Sequence, residues 1–141
     1  MDFGLPLGAS HNFVHEASGV HIKMSGATGV IFYNFLEAGT QTLTLKESNG
    51  AGVNEANLVV MDELWKSPGV GGTWTKITQS ASATYNHSTD ATNDLIGVYV
   101  SADSMSDGLD HLEMTSGTGT CIAIIVGLAD QRSPDNLASN I

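Results

Sequence analysis

The chain has 141 residues, with 15 acidic against 5 basic side chains, a formal net charge of −10 and a sequence pI near 4.5. That length suits one domain with a real core, and a surface this acidic repels phosphate backbones and anionic lipid, so neither nucleic acid nor membrane is an expected partner. Charged residues are only 14% of the chain, so small neutral polar groups carry much of its solubility, a composition common in extracellular β-proteins and virion proteins.

In chain order, residues 1–14 set Phe3, Leu5, Leu7 and Phe13 among Gly4, Pro6 and Gly8, and read as an extended N-terminal arm. The stretch has no basic region and no unbroken apolar core, so a secretion signal is not expected, and assembly in a cytoplasm is. "GVHIKM" alternates, with Val20, Ile22 and Met24 on one face and His21 and Lys23 on the other. "GVIFYNFLE" is nearly continuously apolar, which predicts a strand covered on both faces. "QTLTLKE" alternates again, turning Leu43 and Leu45 inward.

The segment 57–64 carries Val59-Val60 and is read as strand, although "NEANLVVMDELWKSPG" also has a helix-like start at Asn54 and a stop at Pro68-Gly69. "TWTKITQ" is a less regular strand, and "DLIGVYV", "LDHLEMT" and "TCIAIIVGL" follow. Residues 130–141, with Arg132, Pro134 and Leu137, have no strand period and read as a C-terminal arm. The pattern predicts an all-β chain: one β-sandwich or jelly-roll-like domain of about seven or eight strands over residues 15–129, flanked by the two arms.

Few residues point to chemistry. The stretch "YVSADSMSDGLDHLEM" gathers Asp103, Asp107, Asp110 and Glu113 around Gly108. An EF-hand counted from Asp103 would need an oxygen ligand where Met105 stands, and Glu113 misses the last position by one residue. The expectation is a capped turn, with Asp103, Asp107 and Asp110 as the acids a surface cation would choose and no metal or cofactor assigned. His11 and His15 have helical spacing and His21 lies nearby, but no cysteine or second short-spaced pair completes a zinc set.

Cys121 sits mid-strand and is expected to be inert. There is no G-x-S-x-G elbow, and "PGVGGTW" lacks the Lys-Ser/Thr that a phosphate loop requires. The chain is therefore expected not to be an enzyme. Trp65, Trp74, Tyr33, Tyr85 and Tyr99 are the aromatics available for a sugar platform, with Trp74 and Tyr85 its expected centre.

"LIGVYVSADSMSDGLDHLEMTSG" followed by "IAIIVGLADQRSPDNL" resembles the small head decoration or cement proteins of tailed bacteriophages. The resemblance lies in the D-x-x-S-D-G turn (Asp103, Ser106, Asp107, Gly108), the Leu109 that follows it, the closing Arg132, Pro134, Asn136 and Leu137, and "TWT" at 73–75; it covers roughly residues 57–137. It implies a β-sandwich that binds the major capsid protein on the outside of the virion, often as a homotrimer, and stabilises the shell. Apolar arms would then supply inter-subunit contacts through Phe3, Leu5, Leu7, Phe13, Arg132, Pro134 and Leu137. The rival readings are a glycan-binding β-sandwich module and a tail or head–tail connector component, the last distinguished by six-fold or twelve-fold rings.

Overall fold

A computed structural model describes residues 13–89 and 92–127. Eleven strands occur among them: β1 (Phe13–Val14), β2 (Ile22–Lys23), β3 (Gly29–Leu36), β4 (Thr40–Ser48), β5 (Ala56–Asn57), β6 (Met61–Ser67), β7 (Thr75–Ser82), β8 (Thr84–Ser88), β9 (Asp94–Ser101), β10 (His111–Thr115) and β11 (Thr120–Val126). A single 3-10 turn, Ala102–Ser104, follows β9. The all-β architecture is the one expected. The strand count exceeds seven or eight because β1, β2 and β5 are two-residue pairings and β8 is a short polar strand.

Two antiparallel sheets face each other. The larger has the order β1-β11-β3-β9-β6-β7, and the smaller has β2-β10-β4-β5, with β8 also paired to β4. One apolar cluster fills the space between them: Val30, Phe32, Ile96 and Ala123 from the larger sheet meet Leu43, Leu45, Leu112 and Met114 from the smaller. Strict alternation puts these residues inside, since successive side chains of a strand point to opposite faces. Each of these side chains except Ala123 contributes about 1.5–3 kcal/mol by leaving water.

Two short passages carry the chain from one sheet to the other. Residues 58–60 link β5 in the smaller sheet to β6 in the larger, so the expected single strand over 57–64 is two strands in different sheets. Ala83, buried between β7 and β8, is the second corner, and its carbonyl accepts a hydrogen bond from Leu45 N at 2.7 Å.

The prediction for β3 also needs correction. Its Val30, Phe32, Asn34 and Leu36 are buried, but Ile31 and Tyr33 are half-buried and Phe35 is exposed. The continuous apolar run marks one core face and one outward apolar face, not a strand covered on both sides.

Of the arm residues, Phe13 is described: it lies on β1, exposed, paired with Ile124 on β11. Phe3, Leu5, Leu7, Arg132, Pro134 and Leu137 lie outside the described residues.

Candidate functional site

The acidic stretch folds as a turn. Ser101 caps the 3-10 turn through its side chain, which accepts from Asp103 N, and Gly108 adopts φ 84°. The turn is anchored from β4, where the buried Glu47 carboxylate accepts Ser106 N at 2.8 Å and Ser106 Oγ at 2.5 Å. Asp103 and Asp107 point to solvent, and Asp110 pairs with His111 Nδ1 at 2.6 Å. Asp103, Asp107 and Asp110 do not converge. Among the described residues, the metal-ligating groups that meet within 4.8 Å are those of His21, Glu55 and Glu113.

A second feature covers the outer face of the larger sheet. Cross-strand pairing aligns Phe13, Ile124, Ile31 and Tyr99 in one row across four strands. A second row runs Ile122, Tyr33, Gly97, Trp65 and Lys76. Directly opposed residues share a face, so both rows point outward. Water meets much of this surface: Trp65 is 48% exposed, Trp74 43% and Tyr99 52%.

Within this face lies a shallow cleft of about 210 Å³, lined by Ile31, Tyr33, Trp65, Trp74, Gly97, Val98 and Tyr99. Gly97 is its floor. A Cβ there would lie 3.0 Å from Tyr33 Cε1 and 3.8 Å from Trp74 Cζ3, so any larger residue would push the rings apart. The Tyr33 and Trp74 rings are tilted at 57° with centroids 6.3 Å apart, within the range of favourable aromatic pairs.

The glycine-rich "PGVGG" segment brings Trp74 to this place. It reverses the chain between β6 and β7, and Ser67 Oγ donates to Gly72 O at 2.8 Å. Gly72 passes so close to Pro68 that a Cβ would sit 1.9 Å from the Pro68 carbonyl oxygen, so only glycine allows this return.

Four of the five aromatics expected to form a platform therefore converge: Tyr33, Trp65, Trp74 and Tyr99. Tyr85 does not. It lies on β8 in the smaller sheet and packs against the core, because the chain has changed sheets at Ala83. Cys121 is buried on β11, and burial pushes its thiol up to about 12.

Family models, curated proteins and solved structures were all compared with this chain, and none matches it.

Proposed function

We propose that this chain is a non-enzymatic structural protein of a tailed-phage virion, a cement or decoration subunit that binds the major capsid protein on the outside of the shell. The observation that carries this reading is the apolar outer face of the six-stranded sheet, which runs from Phe13 on β1 to Trp65 on β6. A soluble domain that leaves so much aromatic surface in water has a partner to cover it. Aromatic residues at the centre of such a face are also the side chains that carry most binding energy in protein interfaces.

The resemblance of residues 57–137 to phage head proteins supports the major capsid protein as that partner. The net charge of −10 suits the exterior of a particle, away from packaged nucleic acid. Repetition over a shell turns modest affinity per copy into stable attachment. A homotrimer at three-fold positions is the assembly this reading favours.

The test is the solution mass by light scattering, together with sedimentation of the protein with phage capsids stripped of their decoration subunit. Co-sedimentation that is lost in Trp65→Ser and Tyr99→Ser is the expected result. Failure of the unaltered protein to form an oligomer or to bind any such capsid counts against it.

The cleft over Gly97 favours a second reading, a glycan-binding module in which Tyr33, Trp65, Trp74 and Tyr99 stack on sugar rings. Its lining has few groups to hydrogen-bond sugar hydroxyls, which is why a protein partner is preferred. Tryptophan fluorescence that responds to a host polysaccharide, and not to capsids, would reverse the order of the two.

A further inference from the structure

On the opposite side of the molecule, the outer face of the smaller sheet holds a cluster that the docking surface does not use. Glu113 stands on β10 opposite Lys46 of β4, and His21, the residue just before β2, brings its ring to the Glu113 carboxylate. The third member, Glu55, comes from the loop between β4 and β5. His21 Nε2 lies 3.3 Å from Glu55 Oε1 and 3.4 Å from Glu113 Oε2.

Glu113 is the informative residue. It is only 6% exposed, and its Oε2 has no hydrogen-bond partner among the described residues although it is aimed at His21. A buried carboxylate oxygen without a hydrogen bond is poorly compensated for its lost hydration, and the His21 ring at 3.4 Å offsets that loss only when it is protonated. The nearby Glu55 carboxylate adds a like charge within 4.8 Å. Two acids so placed call for a cation between them.

We infer that His21, Glu55 and Glu113 form a binding site for one divalent transition-metal ion of the zinc type. Zinc bonds of about 2.0–2.1 Å in tetrahedral geometry put ligand atoms roughly 3.3–3.4 Å apart. The two His21–carboxylate separations, 3.3 and 3.4 Å, match that edge.

The imidazole is held for the task. His21 Nδ1 lies 3.1 Å from Ser48 Oγ, which also accepts from Gly50 N at 3.2 Å. When Nδ1 carries the hydrogen, Nε2 presents its lone pair to the carboxylates; metal-bound histidines are usually oriented through the second nitrogen in this way. Glu55 Oε1 accepts from Gly52 N at 3.0 Å, which sets the loop in position. Calcium and magnesium prefer all-oxygen shells, so the imidazole selects for a transition metal. Three protein ligands leave the fourth position to water.

A protonated His21 bridging the two acids without metal would give similar distances, and titration separates the two arrangements. The full chain, dialysed against chelator, is titrated with zinc chloride at neutral pH by calorimetry, in parallel with thermal melting. Binding of one equivalent with a raised Tm is expected, with affinity lowered about tenfold or more in Glu113→Gln and in Glu55→Gln. Glu55 is on a partly exposed loop, so its replacement removes a ligand without disturbing the core. Cobalt(II) in place of zinc should give d–d absorption that the same two variants lose. Absence of binding, or an isotherm unchanged in both variants, overturns the assignment.

Discussion

His87 Nδ1 lies 3.0 Å from Asn34 Oδ1, and this contact joins β8 of one sheet to β3 of the other through the interior. Asn34 Oδ1 also accepts from Gln41 Nε2 on β4, so His87 Nδ1 must carry the hydrogen. Gln41 in turn holds the β10–β11 loop, its Oε1 accepting from Thr118 N at 3.1 Å and Gly119 N at 2.8 Å. Polar groups inside a sandwich are tolerated when partnered, and this network fixes how the two sheets sit on each other.

Asn34→Ala removes the acceptor that serves two buried donors. Each orphaned donor costs about 1–3 kcal/mol, so a loss of about 2–5 kcal/mol is expected in urea denaturation. Gln41→Ala should cost less, since water reaches the loop amides it serves.

Lys66 and Asp94 form a second buried polar pair, with Nζ 3.3 Å from Oδ2 and side chains only 9% and 0% exposed. Lys66 Nζ also donates to Ser88 O at 2.6 Å, and Asp94 Oδ1 accepts from Gly69 N at 3.0 Å. Removing one partner of a buried pair costs about 3–5 kcal/mol, whereas replacing both with apolar residues of similar size is often neutral. Asp94→Ala should therefore destabilise the fold strongly, and Lys66→Met with Asp94→Leu should recover most of that loss; denaturation midpoints of these two variants and the unaltered protein decide it.

Cys121 gives a pH prediction. Its thiol is raised from 9.0 to about 12 by burial, so the folded state favours the protonated form. That contribution to stability is fully present below pH 9.0 and is lost as pH rises toward 12. Melting temperature should fall over this alkaline window, and Cys121→Ala should flatten that part of the profile. A thiol reagent at mildly alkaline pH should modify Cys121 only as fast as the protein unfolds.

The turn at 102–108 should depend on Ser106 and not on its aspartates. Ser106→Ala removes the hydroxyl donor to Glu47 and should cost about 1–2 kcal/mol. Asp103→Asn and Asp107→Asn alter solvated side chains and should stay within about 0.5 kcal/mol, because surface changes away from such contacts are usually that small. Calcium should leave the melting temperature of all three unchanged.

A strand with clean alternation, such as β4, is legible in the sequence because one of its faces meets the core. The changes of sheet are not legible. Val59 and Val60 suggest a continuous strand, yet they stand where the chain crosses between layers, and propensity carries no signal for that. The same blindness separates Trp74 from Tyr85, which are close in sequence and lie on different sheets. Most of the aromatic cleft is foreseeable as a set of residue types, but its floor at Gly97 depends on register. His21 and Glu113 stand out in the sequence as ligand types, but no local pattern joins them to each other or to Glu55, since the three come from distant segments.

The order of strands in the larger sheet also has a consequence for synthesis. β11, the last described strand, sits between β1 and β3, two of the earliest. While the ribosome is still making residues before Thr120, β1 lacks the one strand it pairs with among the described residues, and the β3 edge that β11 covers stays open. An open, apolar strand edge is a template for pairing with other chains. A nascent chain of this protein must therefore wait for β11 to slot home, and any product truncated before β11 is expected to aggregate when it leaves the ribosome.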